Sequence, residues 1–278
     1  MKFNDIRPQV WNMLEKIEKI CKQHVLDFEE CAEKEEFPYH VMQKLKDVGC
    51  SGFGVKDHGG PGLSSLEAGL VIYTLAKYDG GFAMSYLVLN CLGIPSISLL
   101  GNEEQRARFL PALIKQQKMS CFGLTEPGYG SDASSLETTA TKVEGGYLLN
   151  GKKKWIGHAD VADYVVIYAR NAAEANQVQA FVVETPAKGY SCHKIRHKFA
   201  TRLTQNQVIT MKDVFVPDHN RLERGKDFAS GANQVLMHSR VLISFMGAGM
   251  AAGSIEIAMS YIRSRTAFKK KLGEFQMV

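Results

Sequence analysis

The sequence predicts an α+β chain in three parts: an all-helical N-terminal region over 1–119, a middle β-barrel over 120–222, and the start of a C-terminal helical bundle over 223–278. Three observations carry this reading. Apolar residues recur every three or four positions in the first part. Short β-branched and aromatic runs separated by turns fill the second. One long helical pattern with few breakers other than glycine fills the third.

In the first part, from about Asn4, the residues Val10, Leu14, Ile17, Cys21, Val25 and Phe28 form one apolar helical stripe. A turn follows at Phe37-Pro38, and a second helix holds Val41, Leu45 and Val48. The loop His58-Gly59-Gly60-Pro61-Gly62 breaks the chain. Ser64 with Glu67, and Asn102 with Gln105, have the spacing of capping boxes that start new helices. In the middle part, Asn150-Gly151 lies between Tyr147-Leu148-Leu149 and Trp155-Ile156, the signature of a hairpin whose tight turn needs positive φ. The runs 164–169, 180–184 and 208–216 read as further short strands. In the last part, from about Arg224, Val235–Ser264 is one helical pattern. Its small residues Gly247, Gly249, Ala251, Ala252 and Gly253 follow no strand, so they read as a close helix–helix contact rather than a dinucleotide loop.

Composition narrows the function classes. A chain of 278 residues that is 45% hydrophobic can bury a sizeable core. The net charge of +5 is spread out, and the runs Lys152–Lys154 and Lys269–Lys271 are too short for a nucleic-acid arm. The six cysteines show no CxxC pair and no histidine at zinc spacing, so they read as reduced, buried thiols, with no metal site expected. No apolar run approaches the roughly 20 residues of a membrane span. Met1–Pro8 has no signal-peptide core, and Phe275–Val278 is no peroxisomal address.

The stretch Cys121-Phe122-Gly123-Leu124-Thr125-Glu126-Pro127-Gly128-Tyr129-Gly130-Ser131-Asp132, with Lys154-Trp155-Ile156-Gly157, carries the chemistry. A strand ends in a Gly/Pro/Ser loop whose backbone N–H groups and Thr125 and Ser131 hydroxyls can face a ligand. Trp155 adds a wide flat face. Together these suit a planar, electron-accepting ring, and they equally describe a tight interstrand loop beside a core tryptophan.

Leu-Thr-Glu-Pro-Gly-Tyr-Gly-Ser-Asp over 124–132 resembles the first signature of the acyl-CoA dehydrogenase and oxidase family. Five further segments match in order: the Gly59-Gly60 loop, Gly101 through Pro111, Asn150 through Ile156, Asp213 through Pro217, and Arg265, Phe268, Phe275 and Gln276. Asp132-Ala133-Ser134 and Ala140–Gly146 are most similar to the glutaryl-CoA-dehydrogenase-like branch, which includes short-chain acyl-CoA oxidases. The resemblance implies a helical domain, a β-barrel and a helical bundle around FAD. It implies Phe122, Leu124, Thr125, Gly130 and Ser131 on the flavin and its phosphates, with Ser131 also near the CoA chain. Trp155, Ile156 and Gly157 would cover the flavin face, and Arg265, Phe268 and Gln276 would reach the FAD of a neighbouring subunit. Arg240 would lie near the acyl pocket.

The reaction it implies is α,β-desaturation of an acyl-CoA thioester. A raised-pKa carboxylate removes the α-proton and a hydride leaves for the flavin. The family's base is a glutamate that would lie beyond Val278, or one just before the arginine matched by Arg240, where this chain has Ser239. No catalytic residue is therefore expected in this chain, and little turnover from it alone. A non-catalytic scaffold or binding subunit is the alternative. Glu126 is expected to fix its own loop, Tyr129 to narrow the ligand approach, and Gly157 to forgo a hydroxyl that many relatives place on the flavin. Phe82-Ala83-Met84 stands where glutaryl-type enzymes carry an arginine, so a short or branched monocarboxylic acyl-CoA is the expected substrate. The family also implies a homodimer or homotetramer, an electron-transfer flavoprotein or oxygen as acceptor, and a mitochondrial or peroxisomal location, with no nucleic acid and no membrane span.

Overall fold

The computed structural model describes residues 6–276. The expected start at Asn4 and the terminal Met277-Val278 fall outside them. Eight helices and a curled sheet are laid out in three consecutive stretches, helical to Ile114, β from Ser120 to Pro217, and helical again from Ala232.

Helix α1 (Pro8–Gln23) buries Val10, Leu14, Ile17 and Cys21, the expected stripe. The stripe does not continue as one helix. His24 leaves helical geometry (φ −122°, ψ 20°) and α2 (Val25–Lys34) starts after it, burying Phe28 while Val25 stays exposed. A spacing of four from Cys21 to Val25 cannot reveal that break, because the apolar pattern runs on across it. Helix α3 (Tyr39–Lys46) buries Val41, Met42 and Leu45. Helix α4 (Ser65–Ala76) starts with the expected capping box, in which Ser64 accepts from Glu67 N and Glu67 accepts from Ser64 N. Helix α5 (Gly80–Val88) runs through a π-helical turn (Leu89–Gly93) into α6 (Ile94–Leu100). Helix α7 (Glu103–Ile114) carries the second capping box, Asn102 with Gln105.

The middle region is one seven-stranded sheet of order β1-β4-β2-β3-β7-β6, with β5 on the other edge of β4. The strands are β1 (Ser120–Gly123), β2 (Thr139–Val143), β3 (Gly146–Gly157), β4 (Tyr164–Asn171), β5 (Gln177–Glu184), β6 (Tyr190–Lys194) and β7 (Asn206–Pro217). The expected barrel is thus a curled sheet around its own core of Cys121, Leu149, Val165, Ile167, Phe181 and Ile209. Strand β4 serves two cores at once. Val165, Ile167 and Ala169 face that core, while Tyr164, Val166 and Tyr168 join the larger helical one, as period-2 alternation requires.

Asn150-Gly151 is not the expected hairpin. The β2–β3 turn lies at Glu144-Gly145, with Gly145 at φ 72°, and β3 runs straight through Asn150 with a bulge between Leu149 and Gly151. Asn150 Oδ1 accepts from Asp213 N at 2.9 Å and its Nδ2 donates to Asp213 Oδ1 at 2.9 Å, so the side chain replaces the ladder bonds the bulge breaks. Gly151 is needed for closeness, since a Cβ there would meet Thr138 Oγ1 at 2.5 Å.

Helix α8 (Ala232–Ser264) lays Gly249 and Gly253 of its small-residue run on α4, while Gly247 and Ala251 stay exposed. A Cβ on Gly249 would come 2.4 Å from Tyr73 O, and one on Gly253 2.0 Å from Lys77 O. Glu256 closes the contact through Lys77, 2.8 Å away. The rest of α8 leaves Met237, Val241, Ile255, Ile257 and Tyr261 exposed. The expectation that nothing approaches a membrane span needs correction. Gly80–Leu100 and Ala232–Ser264 are both long and apolar enough by composition, because leucine, isoleucine, valine, methionine and alanine with few charges keep the mean hydropathy high even where glycine and serine interrupt the run. The first is a core helix, with 67% of its most apolar 18-residue stretch buried; of the corresponding stretch of the second, 17% is covered within this chain. A short pair, β8 (Thr266–Ala267) and β9 (Lys270–Lys271), follows α8.

Candidate functional site

The loop after β1 is shaped by one buried carboxylate. Glu126 accepts from Glu137 N at 2.7 Å, from Thr138 N at 2.9 Å, and from the Thr138 hydroxyl. Lys153, fully buried on β3, donates to Glu126 Oε1 at 2.8 Å and to Leu124 O at 3.0 Å. Glu126 therefore fixes the loop, as its sequence position suggested. Burial alone would push its carboxyl up, but the Lys153 charge and the donated hydrogen bonds more than reverse this and hold it low. Burial pushes the Lys153 ammonium down to about 8, against the pull of Glu126. Lys153 was not foreseen as a site residue. The one available signal was strand alternation, which turns the middle lysine of 152–154 inward while its neighbours face outward.

The loop is tied to β3 by Lys154 N donating to Thr125 O at 2.8 Å. One residue later the β3–β7 register slips again, between Lys154 and Ile156. Trp155 sits in that bulge at φ 65°, an unusual conformation for an indole residue, and is held by Asn206 Nδ2 on its carbonyl at 3.1 Å. The bulge turns the ring out of the sheet, leaving the side chain half exposed.

Between this loop, the bulge and the helices lies a cavity of about 420 Å³, within the usual range for small-molecule sites. Phe122, Leu124, Thr125, Gly130 and Ser131 form one wall, and Trp155, Ile156 and Gly157 the next. Val88 and Leu92 close it from the first helical region, and Phe228, Leu236 and Arg240 from the α8 side. Nine of the residues singled out from the sequence thus meet around one space. The apolar wall of Val88, Leu92, Phe228 and Leu236 was not foreseen, since nothing distinguishes these residues from core. Arg240 and the Thr125 and Ser131 hydroxyls make no ion pair or hydrogen bond with other described residues, so they are free for a ligand. No carboxylate among the described residues lines the cavity. A Cβ on Gly157 would find only Thr204 and Val88, both at 3.8 Å, so the space of the absent hydroxyl is open.

Arg265, Phe268 and Gln276 do not join this set. Arg265 caps the far end of α8, about 37 Å along the helix from Arg240. Phe268 is 92% exposed, edge-on to Phe275 at 6.4 Å. Tyr129 does not narrow the cavity, because its hydroxyl is drawn aside to Glu137 Oε1 at 2.7 Å. Phe82 packs away from it too, stacked on Phe37 in the helical core. A second cavity of about 190 Å³, beside Pro95, Leu99 and His238, contains none of the predicted residues.

His158 follows the cavity wall. It is buried, its Nδ1 lies 3.2 Å from Tyr39 Oη, and its Nε2 has no hydrogen-bond partner. Burial, aided by the Lys198 charge, presses the imidazole down to about 4. The unfolded chain takes up a proton near pH 6.5 that the folded chain refuses until about pH 4. Stability is therefore full above pH 6.5 and is lost as pH falls through that window, by roughly 2–3 kcal/mol. His158→Gln should flatten this part of the pH profile of Tm. An unchanged slope between pH 6.5 and 4 would refute the assignment.

The chain matches three consecutive domain families: acyl-CoA dehydrogenase N-terminal domain over residues 11–117, middle domain over 121–214 and C-terminal domain over 229–278. It is 32% identical over 264 residues to the caffeyl-CoA reductase–Etf complex subunit CarC of Acetobacterium woodii, covering 94% of this chain and 69% of that protein. It is 34% identical over 257 residues to the mitochondrial isobutyryl-CoA dehydrogenase of Dictyostelium discoideum, covering 90% and 61%. Its fold superposes on the crystal structure of a glutaryl-CoA dehydrogenase from Mycobacterium smegmatis in complex with FADH2, with a TM-score of 0.92 at 25% identity, over 98% of this chain and 70% of that one. The chain thus spans between 61% and 69% of the length of these two curated relatives.

Proposed function

The chain belongs to the acyl-CoA dehydrogenase family, and from that premise we propose that it binds FAD in the cavity beside Trp155 and serves the α,β-desaturation of a short or branched monocarboxylic acyl-CoA. The observation that carries this is the convergence of free donors and a flat aromatic face on one open space. FAD, when bound, supplies a hydride acceptor. The Thr125 hydroxyl and the backbone beside it would hold the ring system, offering donors where negative charge would gather on reduction. The Trp155 indole, half exposed beside the cavity, would offer its flat face to the ring. Ser131 and Arg240 stand on the side open to the CoA thioester, and Arg240 offers an unpaired cation to its carbonyl or phosphate oxygens. Val88, Leu92 and Leu236 exclude water around the acyl chain.

Proton abstraction needs a carboxylate that the described cavity wall does not contain. This chain alone therefore holds flavin without efficient desaturation, and the base comes from outside the described residues. Arg265, Phe268 and Gln276 serve the FAD of another copy in a homodimer or homotetramer, and the electrons pass to an electron-transfer flavoprotein.

The test is an absorption spectrum of the purified chain, reconstituted with FAD and then given butyryl-CoA without oxygen. The expected result is a bound flavin band that butyryl-CoA perturbs but bleaches only slowly. A protein that takes up no FAD would overturn the cofactor reading. Bleaching within seconds would overturn the missing base.

A further inference from the structure

Three side chains outside the cavity converge on a point between the first three helices. His24 sits in the non-helical break between α1 and α2, Asp27 in the first turn of α2, and His40 at the start of α3. Asp27 Oδ2 lies 2.5 Å from His24 Nδ1 and 3.1 Å from His40 Nε2. The two rings meet nearly at right angles, 74°, with centroids 5.8 Å apart. One donor atom from each of the three residues lies within 4.8 Å of the other two.

We propose that His24, Asp27 and His40 bind a borderline divalent transition-metal ion of the zinc type, as a structural clamp joining the α1–α2 break to α3. Two imidazole nitrogens and one carboxylate oxygen are a ligand set that such ions favour over the calcium and magnesium type. Ligands about 2.0–2.1 Å from a tetrahedral metal are about 3.3 Å from one another, so the site needs a closure of at most about 1.5 Å. The residues can supply it. His40 is 57% exposed and free to swing, and Asp27 is 37% exposed, which also leaves an entry path and room for a water as fourth ligand. The site is invisible to sequence spacing, because thirteen positions and a helix-to-helix turn separate Asp27 from His40. The metal-free arrangement is satisfied as a hydrogen-bonded cluster, both rings donating to one oxygen. Metal binding moves each ring's proton to its other nitrogen, frees the ligating nitrogens for the ion and stiffens the same contact.

The consequence is mechanical. Tyr39, beside His40, reaches His158, the residue after Gly157 of the cavity wall, so the clamp steadies a helix hydrogen-bonded to the strand end that carries that wall.

The full chain, stripped with EDTA, is titrated with ZnCl2 by calorimetry and followed by thermal melts. The expected result is one ion per chain and a Tm higher by about 3–6 °C at saturation. His40→Ala and Asp27→Asn should each weaken binding at least tenfold, while His193→Ala, an exposed histidine on the sheet, leaves it unchanged. Asp27→Asn keeps the shape of the cluster, so a folding defect in one variant cannot mask the answer. A Co2+ spectrum without a thiolate charge-transfer band should exclude the free cysteines as ligands. No binding, or equal binding by both variants, overturns the proposal. None of these readouts uses flavin, so the clamp and the cofactor reading fail independently.

Discussion

Replacing Glu126 by alanine should cost about 3–5 kcal/mol in denaturant unfolding and abolish FAD retention, the largest single effect expected in the β region. The substitution takes from Lys153, which has no exposed surface, the carboxylate that favours its charged form, and it strands two backbone N–H groups and the Thr138 hydroxyl. The cost is mainly that of an unpartnered buried lysine and stranded donors rather than of a lost attraction. Two further variants separate these terms. Lys153→Met alone should cost less, because Glu126 keeps the donors from Glu137 and Thr138. Glu126→Gln with Lys153→Met should recover at least half of the loss, since no buried charge remains and the glutamine carbonyl still accepts one backbone bond. If Glu126→Ala loses less than about 1 kcal/mol, the network is not what shapes the loop.

That network also shows where sequence reading reaches its limit. The loop and Trp155 were legible as chemistry because hydroxyls, glycines and an indole at those positions have few other joint uses. Their mutual placement was not legible, since it depends on a bulge at Trp155 and on a lysine turned inward by strand parity. Capping boxes at Ser64 and Asn102 were read correctly because each acts within three residues. Asn150-Gly151 misled for the opposite reason. The same local preference for positive φ serves a hairpin or a bulge, and only the partner Asp213, far along the chain, decides which. The break at His24 and the metal-type cluster it enters share this property. Both are settled by which helices pack together, and periodicity along one helix says nothing about that.

The second large effect belongs to the α4–α8 contact, and it comes with a built-in sign test. Gly253→Ala would place a methyl 2.0 Å from Lys77 O, and Gly249→Ala 2.4 Å from Tyr73 O. Both obstacles are backbone atoms of a capped helix, so the neighbour cannot rotate away and α8 itself must lift. Each change should cost about 2–3 kcal/mol, and Gly253→Val more. Lifting α8 withdraws Leu236 and Arg240 from the cavity, so ligand affinity should fall together with stability. Amide exchange along 245–264 should rise well above that of α4. Gly247 lies on the same helix with nothing within 4 Å of its Cβ position, so Gly247→Ala meets no obstacle and removes only the backbone freedom of glycine. It should stabilise the chain by about 0.5–1 kcal/mol. Opposite signs at Gly247 and Gly253 would show that the small-residue face exists for contact with α4. A gain at both positions would mean that α8 does not rest there, and the wall it gives the proposed site would have to be redrawn.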